Sequence, residues 1–338
     1  MAKQDSRIRQ GGEKVISTQR ITQLLLLSIL GICITAAPSL ALEKKSIILQ
    51  WLPQAQFAGF YMAKDKGFYE EAGIDLTIIS GGPDVLASEY LEAGKADFAT
   101  MFLSTGLQRR GTLPIVNIGQ IVQHSALMLI TKTSSNIKSV EDLRGKKVGL
   151  WANEFQMQAR ALFKRKGIPV TIVPQSDSLD LFMRNGVQAA SGMWYNEYHT
   201  LLSYGLDKNE LRTFSFSDYG LDFPEDGIYC LEKTANTYPE LCEALVQATI
   251  RGWMYAFNHP EEALDSVLRR MRKSGTPANR AHQRWMLKRM EDIIVTDKVP
   301  AMGVLNKKDF QRVRNALIET GFLNNVPLFP EFYRGPVR

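Results

Sequence analysis

Residues 51–76 read WLPQAQFAGFYMAKDKGFYEEAGIDL and run from an aromatic turn into a helix and then a strand. Apolar residues recur at helical spacing over 58–71, and Gly73 predicts the end of that helix. Alternating β-branched residues in 74–80 predict a strand, as does the apolar run 46–51 in front of the turn. The stretch therefore predicts a complete β-α-β unit.

The same alternation continues along the chain. A Gly-Gly-Pro turn at 81–83 leads into a helix, and the strand-like ADFATMF follows at 96–102. A second α/β run starts at Ile137, and the pattern from Tyr238 onward is mostly helical. We therefore expect an α/β fold with mostly parallel sheets flanked by helices, because alternating strands and helices favour parallel sheets.

The chain lacks a Pro/Ser-rich linker, which favours two lobes joined by ordinary strands over separate domains. We expect strands to cross between the lobes near Ile130–Thr133 and Gly227–Leu231. The predicted parts are a signal peptide at 1–41, a discontinuous first lobe at 46–131 and 230–338, and a second lobe at 132–229.

The N-terminus has the features of a secretory signal peptide. Five basic residues precede the apolar run LLLLSILGICIT at 24–35, and small residues follow it. The run is shorter than the roughly 20 apolar residues of a membrane span, and cleavage after Ala41 fits best. An uncleaved anchor is the alternative. We expect an exported, periplasmic or extracytoplasmic protein.

Charge and cysteine usage exclude several classes of function. The net charge of +6 falls to +3 without residues 1–41, which hold five Lys/Arg and two Asp/Glu, and we find no basic arm for nucleic acid. Cys230 and Cys242 remain after cleavage, and in an oxidising compartment they could pair or stay as buried thiols. The Cys/His pattern indicates no metal site, and we expect no cofactor.

Three aromatic residues around the first turn are candidates for a ligand pocket: Trp51, Phe57 and Tyr61. A flat heterocycle is held well between aromatic faces, each worth about 0.5–1.5 kcal/mol beyond area burial. The alternative is ordinary core packing, which we favour for the neighbouring Phe60. Loops at the carboxyl ends of parallel strands commonly meet at one cleft, and Trp51 lies at such an end.

The second lobe offers further candidates at strand ends. Trp151 and Glu154 follow one strand, and MWYNEYH (193–199) supplies a second group where a strand becomes a helix. The candidates of that group are Trp194, Tyr195 and Glu197. Asp222 could reach a ligand amine, although turn chemistry explains an Asp in DYGLDFPEDG equally well.

Four segments together resemble the NMT1/THI5-like family. They are WLPQAQFAGFYMAKDKGFYEEAGIDLTI, GGPDVLASEYLEAGKADFA, SVEDLRGKKVGL and GWMYAFNHPEEAL, and the resemblance covers roughly 46–330. It implies a two-lobed type II periplasmic binding protein fold and a substrate-binding protein of an ABC importer, with a membrane permease and an ATPase as partners. We expect a monomer that captures a small molecule.

The resemblance also orders the ligands. A thiamine pyrimidine precursor comes first, riboflavin second and a sulfonate such as taurine third. In pyrimidine-binding relatives, an acidic residue in the region of MWYNEYH (193–199) holds the aminopyrimidine. The resemblance implies that Glu197 has this role here. A periplasmic sensory module remains an alternative.

The family also contains pyrimidine synthases, which are enzymes. Those synthases carry a functional His where Phe57 stands here and a cysteine-rich CCCFC segment that this chain lacks. We therefore expect a binding protein and not an enzyme of this type.

Overall fold

The computed structural model describes residues 41–295, 302–323 and 327–336, without the side chains of Asn153 and Glu154. The predicted signal peptide falls almost wholly outside the described residues. The described part belongs to a compact unit that begins at Leu42.

Ten strands form two five-stranded sheets within the described residues. The strands are β1 (Glu43–Ile48), β2 (Ile74–Ile79), β3 (Phe98–Met101), β4 (Ile115–Gln120), β5 (Leu127–Lys132), β6 (Lys147–Trp151), β7 (Thr171–Gln175), β8 (Ala189–Met193), β9 (Leu211–Ser215) and β10 (Gly227–Leu231).

Helices cover the faces of the sheets. They are α1 (Ala58–Asp65), α2 (Phe68–Glu71), α3 (Ala87–Glu92), α4 (Leu103–Arg110), α5 (Met157–Lys166), α6 (Asp180–Met183), α7 (Glu197–Ser203), α8 (Glu232–Thr237), α9 (Pro239–Asn258), α10 (Pro260–Lys273), α11 (Arg280–Ile294), α12 (Lys307–Thr320) and α13 (Phe329–Phe332). Short 3₁₀ turns include Ala55–Phe57 before α1 and Asn153–Gln156 before α5.

The two sheets share one plan. The first has the order β2-β1-β3-β10-β4 and the second β7-β6-β8-β5-β9. β10 runs antiparallel between β3 and β4, and β5 runs antiparallel between β8 and β9, while the other pairings are parallel. In each sheet, the one antiparallel strand comes directly after the chain crosses from the other sheet. The predicted two-lobed α/β fold, in which the other four strands of each sheet run parallel, is confirmed.

The chain changes sheet twice, at 121–126 and at 216–226. The two crossing segments are hydrogen-bonded to each other: the Asp222 carboxylate accepts from the Ser125 backbone N–H at 2.9 Å, and Glu225 accepts from the Ala126 N–H at 2.6 Å. The crossings therefore lie just before β5 and β10. The exact lobe limits given above stay a prediction.

The helix predicted over 58–71 is broken in two. Gly67 adopts a left-handed conformation with φ of 72°, which separates α1 from α2. Glycine takes this conformation without a steric cost, so the chain turns there before Gly73 ends the segment.

A close helix contact fixes the aromatic turn on the first sheet. A Cβ at Gly252 of α9 would lie 2.1 Å from the Gly59 carbonyl oxygen, and one at Gly59 would lie 2.2 Å from the Trp253 ring. Only glycine permits this approach of α1 to α9. The contact holds α1, and with it the turn that precedes α1, against α9.

Cys230 on β10 and Cys242 on α9 are buried free thiols. The disulfide that the sequence left open is therefore not formed in this structure. Separately, none of the helices in the described ranges combines the length and the apolar character needed to cross a bilayer.

Candidate functional site

A narrow cleft opens at the carboxyl ends of four strands. Its lining comes from the loops after β1, β3, β6 and β8, as expected for the ligand site of a parallel α/β sheet. The lining residues are Gln50, Trp51, Gln54, Gln56, Phe102, Trp151, Phe155, Met193, Tyr195, Asn196 and Glu197.

Aromatic rings from both lobes meet around Phe155. Its ring makes edge-to-face contacts with Trp51, Phe102 and Trp151, at centroid distances of 5.7, 5.3 and 6.4 Å. The Trp151 indole is held by a 3.0 Å hydrogen bond from Nε1 to the Ser176 carbonyl. The walls of the cleft are thus apolar, rigid and suited to a flat ring.

The cleft continues outward into a trench with about 990 Å³ of empty space. Trp51, Trp151 and Phe155 belong to both, and the trench adds the turn 82–87 and the segment 175–177. A ligand larger than one ring therefore has room to extend toward solvent.

A chain of glutamines forms the polar floor. Gln50 and Gln56 both donate through Nε2 to the two oxygens of Asp226, the second at 2.8 Å, and Gln54 donates to Gln56 Oε1 at 2.6 Å. When Asp226 is ionised, its carboxylate only accepts, so these bonds fix the direction of each amide. The side-chain amide oxygen of Gln50, Oε1, is consequently left as an acceptor for a ligand.

Glu197 stands at the start of α7 and is nine-tenths buried. Its carboxylate accepts from the Met193 backbone N–H and from Asn196 Nδ2, both at 2.8 Å. Burial raises the pKa of Glu197 to about 7, against the opposing effect of these donors. The group therefore exchanges its proton near neutral pH while it faces the cleft.

Two further buried acids lie behind this lining. Burial raises the pKa of Asp226 to about 7 and holds the pKa of Glu225 well above its usual range. The second carboxylate oxygen of Glu225 has no partner among the described residues. Tyr195 is fully buried beside these acids, and burial together with their charge raises its pKa.

The charged residues in the described lining of the cleft and its trench are all acidic. Among the described residues that line the cleft and its trench there is no Lys or Arg, whereas Glu197, Asp84 and Asp177 are acidic. Such a surface offers acceptors to a ligand with N–H groups and no cation to an anion.

The structure brings Trp51, Trp151, Tyr195 and Glu197 together in this cleft, and it places other candidates elsewhere. Phe57 and Tyr61 are core residues, with exposed fractions of 0% and 1%. Both face inward because the 3₁₀ turn and α1 pack against α9 and α11. The pocket role expected for these two rings is corrected accordingly.

Trp194 points away from the cleft, into a separate groove with about 1020 Å³ of empty space. The guanidinium of Arg289 lies 4.6 Å from the Trp194 ring centre. Trp194 and Tyr195 are neighbours in the turn after β8, yet they line different pockets.

Asp222 belongs to the crossing segments and not to the cleft. Its carboxylate lies 2.7 Å from His124 Nδ1. Burial acts to raise the pKa of Asp222, but the hydrogen bonds with His124 and the Ser125 N–H, together with nearby positive charge, outweigh burial and lower it. The side chain of the remaining candidate, Glu154, lies outside the described residues.

Several lining residues were missed by the sequence analysis: Gln50, Gln54, Gln56, Phe102, Phe155, Met193, Asn196 and, behind them, Glu225 and Asp226. Gln54 and Gln56 sit in the quoted turn, and two amides that close to Trp51 were an available signal. Nothing local distinguishes the acids of PEDG from ordinary turn residues.

The family model described as NMT1/THI5 like matches residues 54–263, well over half of the chain. The chain belongs to the NMT1/THI5-like family. The match begins within the aromatic turn, after Trp51, and spans both crossing segments and most of the cleft lining.

Relatives in this family include binding proteins. The riboflavin-binding protein RibY of Chloroflexus aurantiacus is 27% identical over 69% of each chain. The formylaminopyrimidine-binding protein of Halalkalibacterium halodurans is 23% identical over 76% of this chain and 80% of its own. A 4-amino-5-hydroxymethyl-2-methylpyrimidine phosphate synthase of Legionella pneumophila is 24% identical over 70% and 76%.

Solved structures show the same fold. The periplasmic aliphatic sulphonate binding protein SsuA of Escherichia coli superposes with a TM-score of 0.64, at 15% identity, over 84% of this chain and 94% of its own. At that identity the likeness establishes the fold alone.

Proposed function

We propose that this NMT1/THI5-like protein is the extracytoplasmic substrate-binding protein of an ABC importer and captures a small, uncharged or cationic aminopyrimidine in the interlobe cleft. The observation that carries the proposal is the combination of aromatic walls with a cation-free, acceptor-rich lining.

The walls suit a planar ring. Stacking a heterocycle on one aromatic side chain contributes about 1–3 kcal/mol. Trp51 and Trp151 flank the space from different lobes, so both can contact the ring only when the lobes are together. A ligand that makes contacts to both lobes stabilises the closed form by that difference in affinity.

The polar groups suit an amine next to a ring nitrogen. Glu197 and Gln50 Oε1 accept from N–H donors, and Glu197, when protonated, can donate to a ring nitrogen. A sulfonate or a phosphate ester needs donors or cations. The described lining has neither Lys nor Arg, and the amides of Gln50 and Gln56 already donate to Asp226. The proposal therefore excludes phosphorylated pyrimidines and taurine.

Riboflavin is the second candidate because of the trench. The trench, which adds the turn 82–87 and the segment 175–177 to the aromatic residues, could take a long polar substituent while the rings stay in the cleft. The relative RibY supports this candidate by name, as the formylaminopyrimidine-binding protein supports the first.

The residue at position 57 supports a binding protein over a pyrimidine synthase. The position where they carry a His holds Phe57, which is fully buried here. Incubation with pyridoxal phosphate is expected to give no imine absorbance, and a stable imine band would contradict this part of the proposal.

A thermal-shift panel tests the ligand class. We expect 4-amino-5-hydroxymethyl-2-methylpyrimidine or its formylamino relatives to raise the melting temperature, with no shift from taurine. If taurine alone shifts the transition, the proposed ligand class is wrong; if riboflavin alone does, the second candidate replaces the first. A permease and an ATPase that co-purify with the loaded protein in detergent would support transport, whereas a receptor kinase in their place would indicate sensing.

A further inference from the structure

A row of four polar side chains leads from the surface to Glu197. His199 Nδ1 lies 3.0 Å from His282 Nδ1, His282 Nε2 lies 2.7 Å from Asn196 Oδ1, and Asn196 Nδ2 lies 2.8 Å from Glu197 Oε1. Glu197 in turn lines the ligand cleft.

The chemistry of the groups gives every bond in this row a direction. The Glu197 carboxylate accepts, so Asn196 donates to it through Nδ2 and presents Oδ1 as an acceptor. His282 must then carry its proton on Nε2, which leaves Nδ1 as the acceptor for an N–H of His199. The row is a continuous relay that runs from His199 through His282 and Asn196 to Glu197.

The relay joins the two lobes. His282 lies on α11, which is fixed to the first lobe by a 2.7 Å hydrogen bond from the Ala55 backbone N–H to Gln283 Oε1. Asn196 and His199 belong to the junction of β8 and α7 in the second lobe. Trp285, one turn beyond His282, supports the contact by donating to the Trp194 carbonyl at 3.2 Å and by stacking on His199 at 4.9 Å.

We propose that His282 is a positioning residue for ligand capture: it fastens α11 to the β8–α7 junction and orients Asn196 so that the Glu197 carboxylate is held toward the cleft. This inference rests on the proposed function, and it adds a link between lobe closure and the acid that faces the ligand.

The relay requires a neutral His282. Burial, helped by His199, lowers the pKa of His282 to about 4, whereas the usual value is 6.5. A protonated His282 would place a second N–H against that of His199, and the contact would weaken. When the lobes open, the His282 ring is no longer buried and its pKa returns toward the usual value. Protonation of His282 therefore favours the open form as the pH falls from about 6.5 toward 4.

Other charged groups around His282 are already engaged. On α11, Arg289 lies over the rings of Trp194 and Trp285, and Arg280 pairs with the acids of α10. Burial lowers the pKa of His199, and Glu197 reaches His282 only through Asn196. Glu197 also titrates near neutral pH, but it is present in wild type and in every His282 variant, so a comparison of these proteins isolates the titration of His282.

Two variants of His282 separate a relay from simple packing. His282→Gln keeps one donor and one acceptor at similar spacing but does not titrate, whereas His282→Leu keeps volume and has neither. The dissociation constant for 4-amino-5-hydroxymethyl-2-methylpyrimidine is measured by calorimetry at pH 7.5 and pH 5. Amide hydrogen exchange of 193–199 is measured on ligand-free protein at pH 7.5.

At pH 7.5 we expect His282→Gln to bind within about threefold of wild type and His282→Leu to bind at least tenfold more weakly. Between pH 7.5 and pH 5, the affinity of wild type should fall up to about 30-fold more than that of His282→Gln. The reason is that His282, with its usual pKa of about 6.5 in the open form, takes up a proton that opposes closure. Faster exchange of 193–199 is expected in His282→Leu alone.

Equal affinities and equal exchange in the two variants would overturn the inference, as would an identical pH dependence of wild type and His282→Gln. If wild type does not bind the pyrimidine, the proposed function fails instead, and the exchange of the ligand-free proteins still decides whether the relay joins the lobes.

Discussion

Replacing Glu197 with glutamine should change how stability depends on pH. Burial raises the pKa of Glu197 from 4.5 to about 7 in the folded protein. Between these values the folded state keeps a proton that the unfolded chain has released, so stability falls as the pH rises from 4.5 to 7 and is constant above. Integrated between pH 5 and pH 8, the loss due to Glu197 is about 2.5 kcal/mol.

The assay is urea unfolding of ligand-free protein at pH 5 and pH 8. Glutamine does not titrate, so Glu197→Gln should lose about 2.5 kcal/mol less than wild type between the two pH values. A fixed cost from the altered contact with Asn196 cancels, because the compared quantity is a change with pH. Glu243→Gln, at an exposed position of α9, is the control and should follow wild type. If Glu197→Gln and wild type lose stability in parallel, the argument that Glu197 is a buried acid with a raised pKa is refuted.

Three further predictions concern the walls, the floor and the crossing segments. Trp51→Ala should weaken aminopyrimidine binding about five- to 150-fold in calorimetry, the equivalent of about 1–3 kcal/mol of stacking. Phe57→Ala should instead lower the free energy of unfolding, measured with urea, by about 3–5 kcal/mol because its ring is buried. Asp226→Asn should reduce aminopyrimidine affinity about tenfold at pH 8, since an asparagine donates as well as accepts and no longer fixes the floor amides; unchanged affinity in calorimetry would count against the floor. Asp222→Asn should lower the free energy of unfolding by about 1 kcal/mol, with a smaller cost at pH 9 than at pH 6. Asp222 raises the pKa of His124, and this stabilisation is lost as the pH rises through that pKa; equal costs at both values in urea unfolding would contradict the pairing.

The fold could be predicted because its signals are local. Apolar periodicity and glycine stops identify strands and helices, and their alternation selects a parallel α/β arrangement. The break at Gly67 escaped notice because a glycine inside an amphipathic pattern is compatible both with a continuous helix and with a left-handed turn.

The site could be predicted only in part, because lining a cleft depends on which way a side chain points. Trp51 follows the end of β1 and Trp151 is the last residue of β6, so position in the sheet sets their direction. Phe57 lies in a 3₁₀ turn whose orientation is set by packing of α1 and α9. Phe155 and Asp226 are brought to the site by distant segments, and no short window of sequence carries that information.

The buried acids connect stability with ligand choice. Glu197 and Asp226 each have a pKa near 7 because burial disfavours their charged forms, so at neutral pH each is close to losing its proton. A ligand with N–H groups directed at Glu197 stabilises its carboxylate and lowers that pKa, and binding then releases a proton. An anion would raise the same pKa and take a proton up. Calorimetry of the aminopyrimidine in buffers of different ionisation enthalpy measures the number and sign of protons exchanged, and we expect release at pH 6.5, reduced in Glu197→Gln. Net uptake by the wild type would mean that the ligand presents negative charge to this cleft, which the acceptor-rich lining opposes.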